Sequence, residues 1–182
     1  MKILQAIDKF VLKLEEIILS YSVLLIAFMV VGNVISRTIT GSSWHFAAEI
    51  SKFAVIIATF MGISYAARKG RHISMSAFYD LAPFKVRKAL AIFIPAVTAG
   101  ILFVLTYYSS VYVYSVYETG KVTAALQLPV VYMLIFIPIG LFTGGIQFIR
   151  NMWINIREKE IYLGTDVKDY NDEEKVTEQI HV

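Results

Sequence analysis

The chain has no cysteine, which removes disulfides, thiolate metal sites and covalently attached c-type haem from its chemistry. Histidine is scarce as well. His45, His72 and His181 fall at the ends of apolar runs or close to the C-terminus, so a haem gripped between helices by paired imidazoles lacks its ligands. Charge is missing from four long stretches: Ile17 to Ser36, Phe53 to Ala67, Ala89 to Tyr117 and Val122 to Ile149. Pumps and secondary transporters place ionisable residues deep in their spans to meet ions and polar substrates. Here the deepest polar group of the first run is Asn33, which suits an interhelical hydrogen bond. No internal repeat suggests an inverted-repeat transporter.

A water-soluble domain of 182 residues could hardly keep 57% hydrophobic against 17% charged residues in solution. A bilayer core about 30 Å thick needs about 20 apolar residues in a helix, and the first, third and fourth runs reach that length unaided. The second does so only if its helix starts near His45 and carries Glu49 and Lys52 at its outer end. The expected architecture is all-α, an integral membrane bundle of four transmembrane helices with spans at about 17–36, 45–67, 89–117 and 129–150. No small-x-small cleavage pattern follows Ile35, so the first run reads as an anchor.

Lys and Arg number three before Ile17, two between the first two spans, six from Arg68 to Lys88, one at Lys121 and five from Arg150 onward. Fourteen thus fall on one side and three on the other, and the positive-inside rule predicts both termini in the cytoplasm. The net charge of +3 then reads as an orientation signal, with no basic face for nucleic acid. That topology also separates Ser51 from His72 and Asp80, which rules out the one Ser/His/Asp arrangement conceivable here. The chain is expected to be no enzyme and to carry no cofactor.

Residues 1–16 have apolar positions Ile3, Ile7, Phe10 and Leu14 alternating with Lys and Glu, the pattern of an amphipathic helix along the inner surface. Residues 17–156 form the transmembrane domain. Residues 157–182, with eight acidic and four basic residues, read as a solvated cytoplasmic tail. An apolar piece around Met75 to Leu81, closed by Pro83, suits a short interfacial helix. Tyr107, Tyr108, Tyr112, Tyr114 and Tyr117 in the outer half of the third span suggest an aromatic belt, or a contact surface for a soluble partner. Pro129 suits the first turn of the fourth span, and Pro138 should bend it. Gly140 and Gly144 form a GxxxG pair for close helix approach, within this chain or on a partner.

Polar residues gather at span ends: Arg37, Trp44, Glu49, Lys52, Arg71 and His72. Headgroup anchoring is their default role, and membrane lipid a partner on that reading. A pairing of Arg37 with Glu49 would fix the outer hairpin.

Arg37, then Trp44 and Glu49 in WHFAAEISKF, then FMGISYAARKG, then RHI at Arg71 to Ile73, and later ALQLPVVYMLIFIPIG from Ala125 to Gly140 follow one another in order. This set resembles the small membrane subunit of tripartite ATP-independent periplasmic (TRAP) transporters, over roughly residues 20 to 150. Where that family often has an acidic residue a few positions after its RHI-like histidine, Ser76 stands here. The resemblance implies a bacterial inner-membrane protein that works with a large multi-span permease subunit and a periplasmic substrate-binding protein. It implies a scaffold for the large elevator subunit, in cation-coupled uptake of an organic acid such as a dicarboxylate or sialic acid, with sodium the expected ion. Other classes left open are a membrane anchor of a respiratory or other enzyme, and a small autonomous channel or exporter.

Overall fold

The computed structural model describes residues 2–69, 83–158, 161, 162 and 164, with side chains from residue 11 onward. Among them are five helices: α1 (Lys2–Thr40), α2 (Ala47–Arg68), α3 (Phe84–Glu118), α4 (Val131–Leu134) and α5 (Phe136–Arg157). No strand occurs among the described residues, although an isolated antiparallel bridge pairs Val122 with Pro129. Among the described residues four stretches are long and apolar enough to cross a membrane: Val11–Thr40, Ala47–Arg68, Phe84–Glu118 and Val131–Arg157. The expected all-helical, four-span plan is therefore present in number and order.

Helix ends follow local chemistry. No glycine or proline precedes Gly32, so nothing stops α1. It runs unbroken through the boundary expected at residues 16 and 17, without a turn between an interfacial helix and the first span. It stops where Gly41 adopts φ +72°, a left-handed cap whose N–H donates to the Arg37 carbonyl at 3.1 Å. Gly120 plays the same part after α3, at φ +59°, with its N–H on the Tyr117 carbonyl at 3.1 Å. Pro83 opens α3, its carbonyl accepting from the Val86 and Arg87 N–H groups at 2.8 and 3.1 Å. The basic residues Lys85, Arg87 and Lys88 thus belong to the helix, and α3 starts five residues before the uncharged run does.

The two prolines within spans behave differently. Pro95 lies inside α3, which continues through it. Pro138 has no N–H for the carbonyl of Leu134 four residues back, and the last crossing is interrupted close by: α4 ends at Leu134 and α5 begins at Phe136. That puts Pro138 in the first turn of α5, where a missing donor costs little. Pro129 stands one residue before Val130, the cap of α4, and its carbonyl accepts from the Tyr132 N–H at 3.1 Å.

The chain divides into two compact units, one of Met1–Tyr65 and Leu105–Leu141, the other of Ala66–Val104 and Phe142–Val182. The first buries Ala47, Ala54, Val116, Met133 and Leu141 together with Ser22 and Ser64; the alanines and serines among them let helix backbones come close. The second buries Ala67, Ala91, Ala99, Leu102 and Phe148, and beside them Arg68, Arg87, Gln147, Asn151 and Asn155. Most other large apolar side chains of the spans face outward, as a helix in lipid allows.

The tail expected to be solvated from residue 157 onward is partly packed in the second unit. Ile161 is 1% exposed. Asn155, wholly buried, holds the chain after α5: its Nδ2 donates to the Tyr162 carbonyl at 2.8 Å, and its Oδ1 accepts from the Tyr162 N–H at 2.9 Å. Lys88 Nζ donates to the Glu158 carbonyl at 2.7 Å. The first residues after α5 are thus drawn in by backbone bonds, which an acidic composition does not oppose. The apolar piece around Met75 to Leu81 lies outside the described residues.

Candidate functional site

Glu49 stands in the first turn of α2, where the helix dipole favours an anion. Its carboxylate reaches a loop 76 residues further along the chain, accepting the Ala125 N–H on Oε1 at 2.6 Å and the Leu126 N–H on Oε2 at 2.9 Å. The loop presents those donors because it is a closed turn. The Val130 N–H donates to the Lys121 carbonyl at 2.9 Å and the Thr123 N–H to the Leu128 carbonyl at 2.8 Å. The Leu128 N–H in turn meets Thr123 Oγ1 at 3.2 Å. Gln127 closes the tip at φ +54°, a left-handed conformation that is strained for a side chain with a Cβ, and its Nε2 donates to the Ala124 carbonyl at 3.1 Å. Two successive N–H groups converging on a carboxylate make a small anion-binding nest, occupied here by the chain's own acid.

Arg37 is exposed near the end of α1, and no ion pair among the described residues joins it to Glu49. The pairing expected from sequence is not formed among the described residues, and both Glu49 oxygens instead accept loop N–H groups.

Trp44, expected at headgroup level, packs inward on α1. Its ring lies over Gly32, so closely that a Cβ there would be 2.8 Å from Cζ3 and 3.0 Å from Cη2. Phe46 stacks on it at 5.9 Å and Phe28 lies tilted at 6.5 Å. The Trp44 N–H donates to Asn33 Oδ1 at 2.7 Å. Asn33 therefore ties the loop to α1 rather than bridging two spans.

Gly140 has the closest approach. A Cβ built on it would lie 2.7 Å from Phe60 Cβ and nearer still to the Phe60 backbone carbonyl. Its small size is used within this chain, between α5 and α2. Gly144 is buried. Neighbouring Gly145, which the GxxxG spacing passes over, faces the Phe103 ring, with ring atoms 3.1 to 3.3 Å from its virtual Cβ. Phe103 in turn meets Phe142 edge-on at 5.9 Å. Arg71 and His72 lie outside the described residues. The Glu49–loop contact and the Asn155 clamp were missed from sequence; each joins a polar side chain to backbone atoms, which no residue pattern advertises.

A glutamate latch joins the start of α2 to the loop after α3, and a tryptophan in the loop before α2 packs on α1. The family described as Tripartite ATP-independent periplasmic transporters, DctQ component, matches residues 26–158, a stretch that contains all of these contacts. The chain belongs to this family. It is also 43% identical over 173 residues to the ectoine TRAP transporter small permease protein TeaB of Halomonas elongata, covering 94% of this chain and 90% of that protein. As a DctQ component it is a small permease subunit of a TRAP transporter, a multi-pass protein of the inner membrane. Its polar span-end residues Glu49 and Asn33 are engaged in holding loops.

Proposed function

We propose that this DctQ component is a non-catalytic scaffold. It would pack on a large multi-span permease subunit that carries the substrate and ion sites, and help dock a periplasmic substrate-binding protein. The supporting observation is the place of Glu49, the acid of the second span: its carboxylate accepts the Ala125 and Leu126 N–H groups and so organises a loop, a structural use of the charge. On this reading both termini are cytoplasmic, in keeping with the fourteen-to-three division of Lys and Arg. The first turns of α1, with Lys2, Lys9 and Lys13, then lie at the inner interface. The acidic stretch of residues 157–182 emerges on the same side.

The solute we propose is ectoine, taken from the name of a relative similar along nearly the whole of both chains. This stands in place of the dicarboxylate or sialic acid suggested by family resemblance alone, and coupling to a cation, with sodium first, completes the reading. The test is uptake of labelled ectoine into cells that express this chain with its neighbouring transporter subunits, with and without a sodium gradient. Uptake of a dicarboxylate or of sialic acid, and not of ectoine, would overturn the substrate. Full-rate uptake by the large subunit and binding protein without this chain would overturn the scaffold.

A further inference from the structure

From the tyrosines of α3 we infer a docking surface for the soluble component of the transporter; the inference rests on the docking role proposed above. Tyr107, Tyr108, Tyr112, Tyr114 and Tyr117 are each 57–68% exposed. Among the described residues nothing buries any of them, and the loop that follows is held by Glu49.

Depth decides between lipid and protein. From Lys88 to Glu118 α3 rises about 45 Å, and at a typical tilt of about 20° it spans about 42 Å against a hydrocarbon core of about 30 Å. With Lys88 at one core boundary, Tyr107 and Tyr108 fall near the other. Tyr112 and Tyr114 stand among the headgroups and Tyr117 above them. Along the helix the five tyrosines extend over about 15 Å, twice the depth of a headgroup layer of about 5–7 Å, so one belt cannot hold them all. The stretch from Ala89 to Tyr117 carries no charge that would fasten it to phosphates.

Composition and area point the same way. Tyrosine is enriched in protein contact surfaces: it gives large rigid area at low entropic cost with a hydroxyl for hydrogen bonds. At roughly 200 Å² per ring residue, Tyr112, Tyr114 and Tyr117 expose roughly 400 Å², about half of the 800 Å² or so that one partner contributes to a standard interface. A soluble partner approaching along the membrane normal would meet Tyr117 and Tyr114 first.

The absence of cysteine makes the test direct. Single variants Tyr107→Cys, Tyr114→Cys, Tyr117→Cys, Ser43→Cys and Leu126→Cys are assembled with the large subunit in proteoliposomes. They are treated with a membrane-impermeant maleimide, with and without the purified binding protein. Tyr114→Cys and Tyr117→Cys should label readily and be protected at least fivefold by the binding protein, while Tyr107→Cys labels slowly. Labelling of Tyr117→Cys only after the membrane is dissolved would show a lipid belt and overturn the inference. So would protection by the large subunit alone. Protection at Ser43→Cys or Leu126→Cys without protection at the tyrosines would keep the docking role and refute this surface. Protection at none of them would refute both.

Discussion

Gly140→Ala is the sharpest perturbation this fold offers. The added methyl would sit 2.7 Å from Phe60 Cβ and closer still to the Phe60 carbonyl, which is backbone in the middle of α2. No rotamer change relieves that clash, so α5 must draw back from α2 by about 1 Å. Such a gap forfeits a quarter to a half of the dispersion energy at the contacts it opens. Overpacking of this kind costs about 1–3 kcal/mol, offset by about 0.5–1 kcal/mol from replacing glycine inside a helix. The net loss is about 1–2 kcal/mol, which for a chain of this size lowers Tm by about 2–8 °C. Gly100→Ala is the matched control, because nothing lies within 4 Å of a Cβ at that position in α3. It should be neutral or stabilising. Thermal unfolding of both variants in the same detergent, followed by tryptophan fluorescence, reads the difference. If Gly140→Ala melts with or above Gly100→Ala, the close approach of α5 to Phe60 does not hold the fold.

Glu49→Gln keeps the shape of the side chain but supplies an acceptor without charge and only one carbonyl oxygen. One of the two loop N–H groups loses its partner, and hydrogen exchange at Ala125 and Leu126 should quicken, more at Leu126 than in the helices. Gly32→Ala meets a side chain rather than backbone, so it should cost less than Gly140→Ala and shift Trp44 emission, read in a Trp153→Phe background. Asn155→Ala removes both bonds to the Tyr162 backbone in a wholly buried place; at about 1–3 kcal/mol per buried group left unpaired, exchange protection at the Tyr162 amide should fall at least tenfold. Unchanged protection there would mean that Ile161 alone anchors the segment.

The spans were legible because lipid imposes long uncharged runs, and four such runs gave four crossings in order. Their ends were less so. Helical geometry does not stop at a charge, so α3 takes in Lys85 to Lys88 once Pro83 has started it, and α1 passes through Ile17 without a break. Gly140 was visible as part of a GxxxG pair, whereas Gly145 was not, since its neighbour is an aromatic ring on another helix. Glu49 was expected to pair with Arg37, and its carboxylate instead accepts two loop N–H groups. Opposite charge suggested Arg37, but two backbone N–H groups fixed by a turn are already aligned, while an exposed arginine must give up side-chain freedom to pair. The packing of Trp44 over Gly32 was not legible either, because composition does not reveal the space that a glycine earlier in the chain leaves for a ring.

The Glu49 latch also acts as a check on insertion. Its carboxylate and the Ala125 amide can meet only if the beginning of α2 and the end of α3 emerge on the same face of the bilayer, hence only after two complete crossings between them. A nascent chain that inserted only one of the two helices would strand the acid and its two donors on opposite sides. The bond becomes possible once α3 has crossed, before the last span is made, and its formation marks the α2–α3 pair as inserted together.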